Sequence, residues 1–70
     1  MPDLAQRFGA NVKRIRKDRE MTQEQLGLAA GLDAAVISRI EAGQREPRVK
    51  NVARIAKALG AEPGDLFAGL

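Results

Sequence analysis

Apolar residues recur at intervals of three and four along most of this 70-residue chain, which is the spacing of one face of an α-helix. The first such stripe predicts a helix over about residues 4–19 and consists of Leu4, Phe8, Val12 and Ile15. Asp3 fits the N-cap position of that helix, because its side chain can accept a hydrogen bond from a free backbone N–H group. No segment alternates between apolar and polar residues as a strand does, so the pattern predicts an all-α fold.

Two short helices follow, and capping residues and glycines mark their ends. Thr22 and Gln25 have the spacing of a capping box, in which each side chain bonds the backbone of the other residue. Gly31 supplies the left-handed residue that ends this second helix. Asp33 is expected to cap the third helix only two residues later, and Gly43 is expected to end it.

The last third of the chain predicts two more helices after a polar loop. Pro47 disfavours helical backbone at the residue before it, so the loop separates the third helix from the fourth. The fourth stripe, over about residues 49–59, consists of Val49, Val52, Ile55, Ala56 and Leu59. Pro63 fits the first turn of a short fifth helix that buries Leu66 and Phe67. Five short helices with tight connections predict one compact all-α domain over residues 1–70.

The connection between the second and third helices is only about three residues long, from Gly31 to Asp33. Helices joined by so short a turn cross steeply, which is the geometry of a helix-turn-helix. Gly27 has no side chain, so the two backbones can approach closely, and the apolar residues expected to hold the crossing are Leu26, Ile37 and Ile40. The spacing therefore predicts a helix-turn-helix over about residues 23–41.

Several segments of the chain resemble the Cro/CI-type helix-turn-helix family, also called lambda-repressor-like or XRE; they are residues 21–31, 36–43, 47, 52–60 and 65–67. The resemblance covers about residues 5–68 and implies a five-helix fold whose third helix, about residues 34–42, lies in the major groove of double-stranded DNA. Family members usually bind a palindromic operator as symmetric dimers, with half-sites roughly 34–36 Å apart. The resemblance therefore implies a sequence-specific transcriptional regulator that acts as a homodimer.

The composition argues against enzymatic chemistry. With no His and no Cys, the chain cannot build a Ser-His or Cys-His nucleophile or the usual zinc sites. We therefore expect neither an enzyme nor a bound metal, cofactor or small-molecule substrate. No apolar stretch approaches the roughly 20 residues of a membrane span, and no signal-peptide pattern opens the chain. We expect no membrane partner and a cytoplasmic protein at the nucleoid.

The positive charge of the chain is concentrated rather than large. Twelve basic and nine acidic residues give a net charge of +3, but five of the seven residues at positions 13–19 are basic. Such a cluster can face an anionic partner such as DNA. A solvated helix face is the alternative interpretation.

The resemblance implies phosphate contacts in two places. Gln23 and Thr22 lie at the start of the second helix, where free N–H groups and the helix dipole favour an anion. A helix cap with no further role is the alternative there. Arg45 and Arg48 flank the loop after the third helix, where family members often touch the DNA backbone or minor groove, and solvated surface arginines are the alternative.

The candidate base-contacting residues are the positions expected to be exposed on the first turns of the third helix: Ala34, Ala35, Ser38 and Arg39. Arg39 is the main candidate, because a guanidinium can bind O6 and N7 of guanine together; a phosphate contact or a plain surface arginine are the alternatives. Ala34 and Ala35 depart from relatives that carry Gln or Asn there. They would meet a thymine methyl or let the helix sit deep, and DNA shape would supply part of the specificity.

One ion pair is expected to support the third helix. In the family, an arginine on the first helix often pairs with a glutamate that ends the third, and Arg16 and Glu41 occupy those positions. We predict that they pair and that the pair orients Arg16 toward a DNA phosphate. An exposed pair would stabilise the fold by only about 0–1 kcal/mol, so its value would be positional. Two independent surface charges are the alternative.

The apolar C-terminal residues offer a two-fold contact. Leu66, Phe67 and Leu70 could join two copies, as in relatives, or Leu66 and Phe67 could be used by the core of the domain itself. A protein-interaction module of the same fold, antitoxin-like or coactivator-like, is the alternative function. The small side chains of Ala34 and Ala35 leave room for such a module with little operator specificity.

Overall fold

The computed structural model describes residues 3–69, and these residues form helices without strands. Their order is α1 (Leu4–Asp18), α2 (Gln23–Ala30), α3 (Ala34–Glu41), α4 (Val49–Leu59) and a 3₁₀ helix (Pro63–Phe67). The predicted all-α class is confirmed, and the predicted helix-turn-helix corresponds to α2, the turn and α3. None of the helices within residues 3–69 has the length and hydropathy that a membrane span requires.

The prediction of a fifth α-helix is wrong, because that segment is a 3₁₀ helix. The described part of the chain therefore has four α-helices. The last segment is a 3₁₀ helix of five residues that begins with Pro63, which has no N–H group to donate, and continues with Gly64, a poor helix former. Ala68 then turns to extended backbone, with ψ 143°. So short a segment ends before an α-helical hydrogen-bond ladder can propagate.

Apolar side chains from all five helical segments meet in one core. The largest side chains that are fully buried are Phe8, Val12, Leu26, Ile37, Ile55 and Leu66. In this arrangement α2 packs on α3 and α4, while α1 packs on α3 and on the 3₁₀ helix. The helix-turn-helix is therefore held from two sides, by α1 and by α4.

Two residues of the predicted apolar stripes do not join the core. Leu4 is 46% exposed and Val49 is 88% exposed. Each is the first residue of its helix, α1 or α4. Both residues therefore leave apolar area at the surface, and the first residues of the apolar stripes that reach the core are Phe8 and Val52, about one turn later.

The predicted caps hold in two of three cases. The Thr22 hydroxyl accepts from the Gln25 backbone N–H at 3.0 Å, and the Gln25 side chain accepts from the Thr22 N–H at 2.8 Å. Asp3 caps α1 and forms a similar box with Gln6. Asp33 occupies the N-cap position of α3, but its side chain makes no capping hydrogen bond, so that part of the prediction is wrong and its carboxylate stays exposed.

Two glycines permit the close approaches that shape the helix-turn-helix. A Cβ at Gly27 would lie 2.4 Å from the carbonyl oxygen of Leu32, so α2 and the turn could not pack as they do with any larger residue. A Cβ at Gly9 would lie 2.1 Å from the carbonyl oxygen of Ile40. Gly9 therefore lets α1 lie directly against the C-terminal end of α3.

The 3₁₀ helix is fastened to α1 by a side chain and by a ring pair. The Asn11 side-chain amide donates to the carbonyl oxygens of Leu66 at 3.0 Å and Ala68 at 2.9 Å. The ring of Phe67 packs on that of Phe8 with centroids 5.2 Å apart. The amide supplies backbone partners that a helix of five residues cannot provide for itself, and the ring pair adds apolar packing.

We expect Gly9→Ala to destabilise the fold, because the added methyl group has to push α1 away from the backbone of α3. The free energy of unfolding should fall by about 1–3 kcal/mol, the usual cost of overpacking, as measured by urea denaturation. Gly64→Ala is the matched control, since nothing lies within 4 Å of a Cβ at that position. Equal effects of the two substitutions would contradict the role assigned to Gly9.

Candidate nucleic-acid interface

Arg16 and Glu41 form an ion pair between α1 and the end of α3. Arg16 Nε donates to Glu41 Oε2 at 2.6 Å, and Arg16 Nη2 donates to Glu41 Oε1 at 3.0 Å. The pair is buried, with 9% of the Arg16 side chain and 3% of the Glu41 side chain exposed. It is therefore not the surface pair for which a small stabilisation was expected, since its two charges are held out of water.

Every guanidinium nitrogen of Arg16 has a partner. Its third nitrogen, Nη1, donates to the backbone carbonyl oxygen of Met21 at 2.7 Å. Met21 lies in the link between α1 and α2, so one side chain joins α1, that link and the end of α3. Three of its five N–H groups are thus bonded within the domain, and 9% of the side chain is exposed. These bonds give Arg16 a positioning role, and its phosphate contact stays a prediction.

Bonding to Glu41 keeps Arg16 charged despite its burial. The side-chain hydrogen bonds to Glu41 raise the pKa of Arg16 above its ordinary value, against the opposing effect of burial. A group whose pKa is raised on folding stabilises the fold below its ordinary pKa and loses that contribution only as the pH rises through the folded value. Arg16 therefore remains charged and stabilising until strongly alkaline pH.

Gln23 extends this network to the start of α2. Its side-chain Nε2 donates to Glu41 Oε1 at 3.1 Å, and the residue is half-buried. Glu41 consequently accepts from both Arg16 and Gln23. This hydrogen bond holds the first residue of α2 against the last residue of α3. The sequence did not indicate that contact.

The start of α2 carries the free N–H groups of a helix N-terminus. Thr22 is exposed, and its hydroxyl accepts from the backbone of Gln25, which leaves the hydroxyl hydrogen free to donate. Glu24 is the acidic residue in the first turn. Of the two predicted phosphate contacts here, Thr22 is open to solvent and Gln23 is held by Glu41.

The outer face of α3 carries the remaining candidate base contacts. Ala35, Ser38 and Arg39 are exposed, whereas Ala34 is half-buried. Their spacing of three and four residues places the three exposed ones on one side of the helix. Arg39 lies in the second turn, which is also the last turn because α3 is only eight residues long and ends at Glu41.

Arg45 and Arg48 lie on the two sides of Pro47, between α3 and α4. Arg48 is exposed and occupies the N-cap position of α4, and Arg45 is half-buried. Neither has an acidic partner within 4 Å among residues 3–69. Both guanidinium groups therefore remain available to an anion.

The basic cluster at 13–19 is divided by the fold. Lys13, Arg14 and Lys17 are exposed, but Arg16 faces inward. Arg19 donates through Nε to the carbonyl oxygen of Leu59 at 3.0 Å, and so satisfies the end of α4. Only part of the cluster is therefore a solvated face.

The sequence and the architecture both match known proteins. A family model described as "Helix-turn-helix" matches residues 12–66, which contain α2, α3 and the whole network around Glu41. This region is more than half of the chain. The chain belongs to the Cro/CI-type helix-turn-helix family.

Three relatives illustrate the similarity. The chain is 42% identical over 61 residues to control protein C.BamHI of Bacillus amyloliquefaciens, covering 86% of this chain and 75% of that protein. The restriction-modification controller protein C.AhdI of Aeromonas hydrophila matches with a TM-score of 0.87 and 33% identity over 90% of this chain and 96% of that one. The P22 c2 repressor, solved in complex with a synthetic operator, matches with a TM-score of 0.82 and 30% identity over 90% and 96%.

The three C-terminal residues expected to join two copies of the chain differ in their exposure. Leu66 is fully buried, so its predicted two-fold contact is wrong, and the alternative that it serves the core of the domain holds. Phe67 is half-buried. Leu70 lies outside the described residues. Phe67 lines an apolar cleft of about 290 Å³ together with Leu4, Pro47, Val49, Val52, Ala53 and Pro63.

The sequence analysis missed one residue and one hydrogen bond that position the helix-turn-helix. The residue is Gly9 of α1, although a glycine inside an amphipathic helix is unfavourable and signals a packing reason. The hydrogen bond from Gln23 to Glu41 was also missed, because it joins residues 18 positions apart. No local pattern reports a contact at that separation.

We expect Glu41→Gln to destabilise the domain strongly, because it leaves the buried Arg16 charge without a counterion. The free energy of unfolding should fall by about 3 kcal/mol, as measured by urea denaturation at neutral pH. The double variant Arg16→Met/Glu41→Leu removes both charges and should recover most of the loss. If the double variant is less stable than Glu41→Gln, the cost does not come from an unpaired charge.

Proposed function

We propose that this protein is a sequence-specific DNA-binding transcriptional regulator that binds a palindromic operator as a homodimer. The observation that carries the proposal is the outer face of α3, where Ala35, Ser38 and Arg39 are left unpacked in a family whose α3 enters the major groove. The alternative is a protein-interaction module of the same fold. Within residues 3–69, no other element covers the exposed residues of this face, so the face stays open to DNA.

Base reading rests on Arg39. Its exposed guanidinium can bind guanine O6 and N7 together. Ser38 is the neighbouring hydrogen-bonding side chain, and Ala34 and Ala35 present only methyl groups toward the groove. Small residues at the start of α3 allow the helix to approach the base edges closely, and DNA shape contributes where no side chain can bond.

Phosphate binding rests on the start of α2 and on the loop before α4. Gln23 and Thr22 lie beside the free N–H groups of α2, where an anion is favoured. Arg45 and Arg48 would contact the backbone on the far side of α3. Arg16 contributes indirectly, because its pair with Glu41 holds the Gln23 amide in place.

The two-fold contact is proposed at the apolar cleft rather than at Leu66. Leu4 and Val49 are two of the large apolar side chains that residues 3–69 expose, and both line this cleft with Phe67. The cleft adjoins the loop that carries Arg45 and Arg48, so a second copy placed there continues the surface proposed for DNA. Because DNA is the proposed partner, we place the protein at the nucleoid in the cytoplasm. The proposed function is binding and includes no catalytic step.

The names of similar proteins indicate what kind of regulation to expect. C.BamHI and C.AhdI are named as a control and a controller protein, and the P22 c2 protein is named as a repressor. By analogy, we propose that occupancy of the operator blocks or assists transcription at a nearby promoter.

We expect Arg39→Ala to weaken operator binding by about 1–3 kcal/mol and to relax preference at one base pair. Gln23→Ala should weaken binding to all sequences alike, since a phosphate contact carries no sequence information. The operator would be selected from random DNA, and affinities measured by fluorescence anisotropy at several salt concentrations. A uniform loss with Arg39→Ala would show that Arg39 does not read a base. Wild-type binding that never exceeds the non-specific level would favour the interaction module.

We expect Val49→Glu to separate the two copies without unfolding the domain, because the side chain is already exposed and the substitution places a charge in the apolar cleft. Sedimentation velocity at micromolar concentration, with and without operator DNA, measures the effect. Leu28→Glu is the matched control, since Leu28 is 85% exposed but lies outside the cleft. If Val49→Glu remains as dimeric as the wild type, the cleft is not the interface.

A further inference from the structure

A row of basic side chains lies on the outer face of α4. Lys50, Arg54 and Lys57 are all exposed. They follow one another at intervals of four and three residues, which places them on one side of the helix. From Lys50 to Lys57 the row is about 10 Å long, given the rise of an α-helix. We call these three residues the α4 ridge.

The α4 ridge carries a positive charge that the domain does not neutralise. The chain has twelve basic and nine acidic residues, so without the ridge the nine remaining basic residues would balance the nine acidic ones. Helix α4 itself contains neither Asp nor Glu. Among residues 3–69, no carboxylate lies within 4 Å of a ridge side chain. The whole excess charge of the chain, +3, therefore equals the charge of one helix face.

The fold gains little stability from this arrangement. Like charges three or four residues apart on a helix repel each other and destabilise it. Lys50 lies in the first turn of α4, where the helix dipole disfavours a cation, and only Lys57, in the last turn, is favoured by the dipole. Helix α1 differs, because its Arg14 has Asp18 four residues further on, at 4.0 Å. An anionic partner explains the ridge better than the folding of the domain does.

The α4 ridge is separate from the face of α3 that is proposed to read DNA. Helix α4 packs on α2 and on the 3₁₀ helix, whereas α3 packs on α2 and on α1. Helix α2 therefore lies between α3 and α4. Ile55 and Leu59 turn the opposite side of α4 to the core, so the ridge faces solvent.

The surroundings of the ridge indicate which kind of anion fits. Glu46 lies three residues before α4 and Glu62 lies three residues after it, and both are exposed. A nucleic-acid backbone is a long, uniform row of phosphates, so it would meet these carboxylates where it passes beyond the ridge. A short acidic segment of a protein ends before it reaches them. Charge complementarity therefore favours an acidic segment over a nucleic acid.

We propose that the α4 ridge docks a short acidic segment of a partner protein. Asp or Glu side chains of the segment pair with Lys50, Arg54 and Lys57. The docking requires neither DNA nor a second copy of the chain. Val49 and Ala53 lie beside the ridge and line the apolar cleft. In the proposed dimer, the segment would thus lie at the edge of the two-fold contact.

The proposal can be tested with a pair of synthetic peptides. The patterned peptide is a helix of about 15 residues, four turns, with glutamates on one face at intervals of four and three residues. Its twin has the same composition, with the glutamates spread around the helix. We expect the patterned peptide to bind the full chain more tightly in an NMR chemical-shift titration at low salt, with the largest shifts at the α4 amides. Attraction to the net charge alone predicts equal binding.

Two matched variants of the chain locate the binding. Lys50→Gln/Lys57→Gln should weaken the patterned peptide about fivefold, because two exposed ion pairs are lost. Lys13→Gln/Lys17→Gln is the control, since it removes two exposed lysines of α1 and lowers the net charge from +3 by the same two charges. It should weaken the peptide less than about twofold, since screening limits the effect of distant charges. The ridge variant should not lower the thermal midpoint, because it relieves like-charge repulsion.

Four outcomes would overturn the proposal. Equal binding of the two peptides removes the role of the charge pattern, and equal losses with the two variants remove the role of the ridge. A larger loss of DNA affinity with the ridge variant than with the control would assign the ridge to a nucleic acid. Self-association that depends on Lys50 and Lys57, seen by sedimentation, would assign it to a second copy. The peptide titration contains no DNA, so a failure of the proposed DNA-binding function does not mimic any of these.

Discussion

The placement of α3 depends on a buried charge pair. Arg16 and Glu41 are removed from water, which is costly unless every donor and acceptor is satisfied. The structure offsets that cost, because each of the three guanidinium nitrogens of Arg16 and both oxygens of Glu41 have a partner within hydrogen-bond distance. A network of this kind tolerates little displacement of its members. It therefore fixes α1, the link at Met21 and the end of α3 relative to one another, and Gly9 permits the close contact that brings the pair together.

The same network compensates for the shortness of the helix-turn-helix. Helices α2 and α3 have eight residues each, a length at which isolated helices are unstable in water. Their order has to come from packing and from end contacts. Leu26 and Ile37 provide the packing, and Gln23 provides the end contact by bonding Glu41. The start of α2 and the outer face of α3 are the surfaces proposed for phosphate and base contacts, so one carboxylate aligns both.

Local features of the fold were predictable, and long-range features were not. The Thr22 capping box, the end of α2 at Gly31 and the buried stripe through Phe8 follow from spacing that a single helix or turn determines. Periodicity identifies a face but not how far the core reaches along it, which is why Leu4 and Val49 were misplaced. A charged side chain is treated as polar by any such pattern, so the burial of Arg16 was not expected. Its position four residues after Val12, at the edge of the stripe, was the available signal.

Under the proposed function, dimerisation would matter more here than in a relative with more base-reading side chains on α3. One bidentate arginine supplies about 1–3 kcal/mol of discrimination, and α3 offers a single arginine with two alanines before it. Specific binding usually exceeds non-specific binding by about 4–10 kcal/mol, so one copy of Arg39 falls short. Two copies on a palindrome double the contribution without any new side chain. The apolar cleft around Val49 would then determine sequence specificity as much as α3 does, although it lies outside the helix-turn-helix.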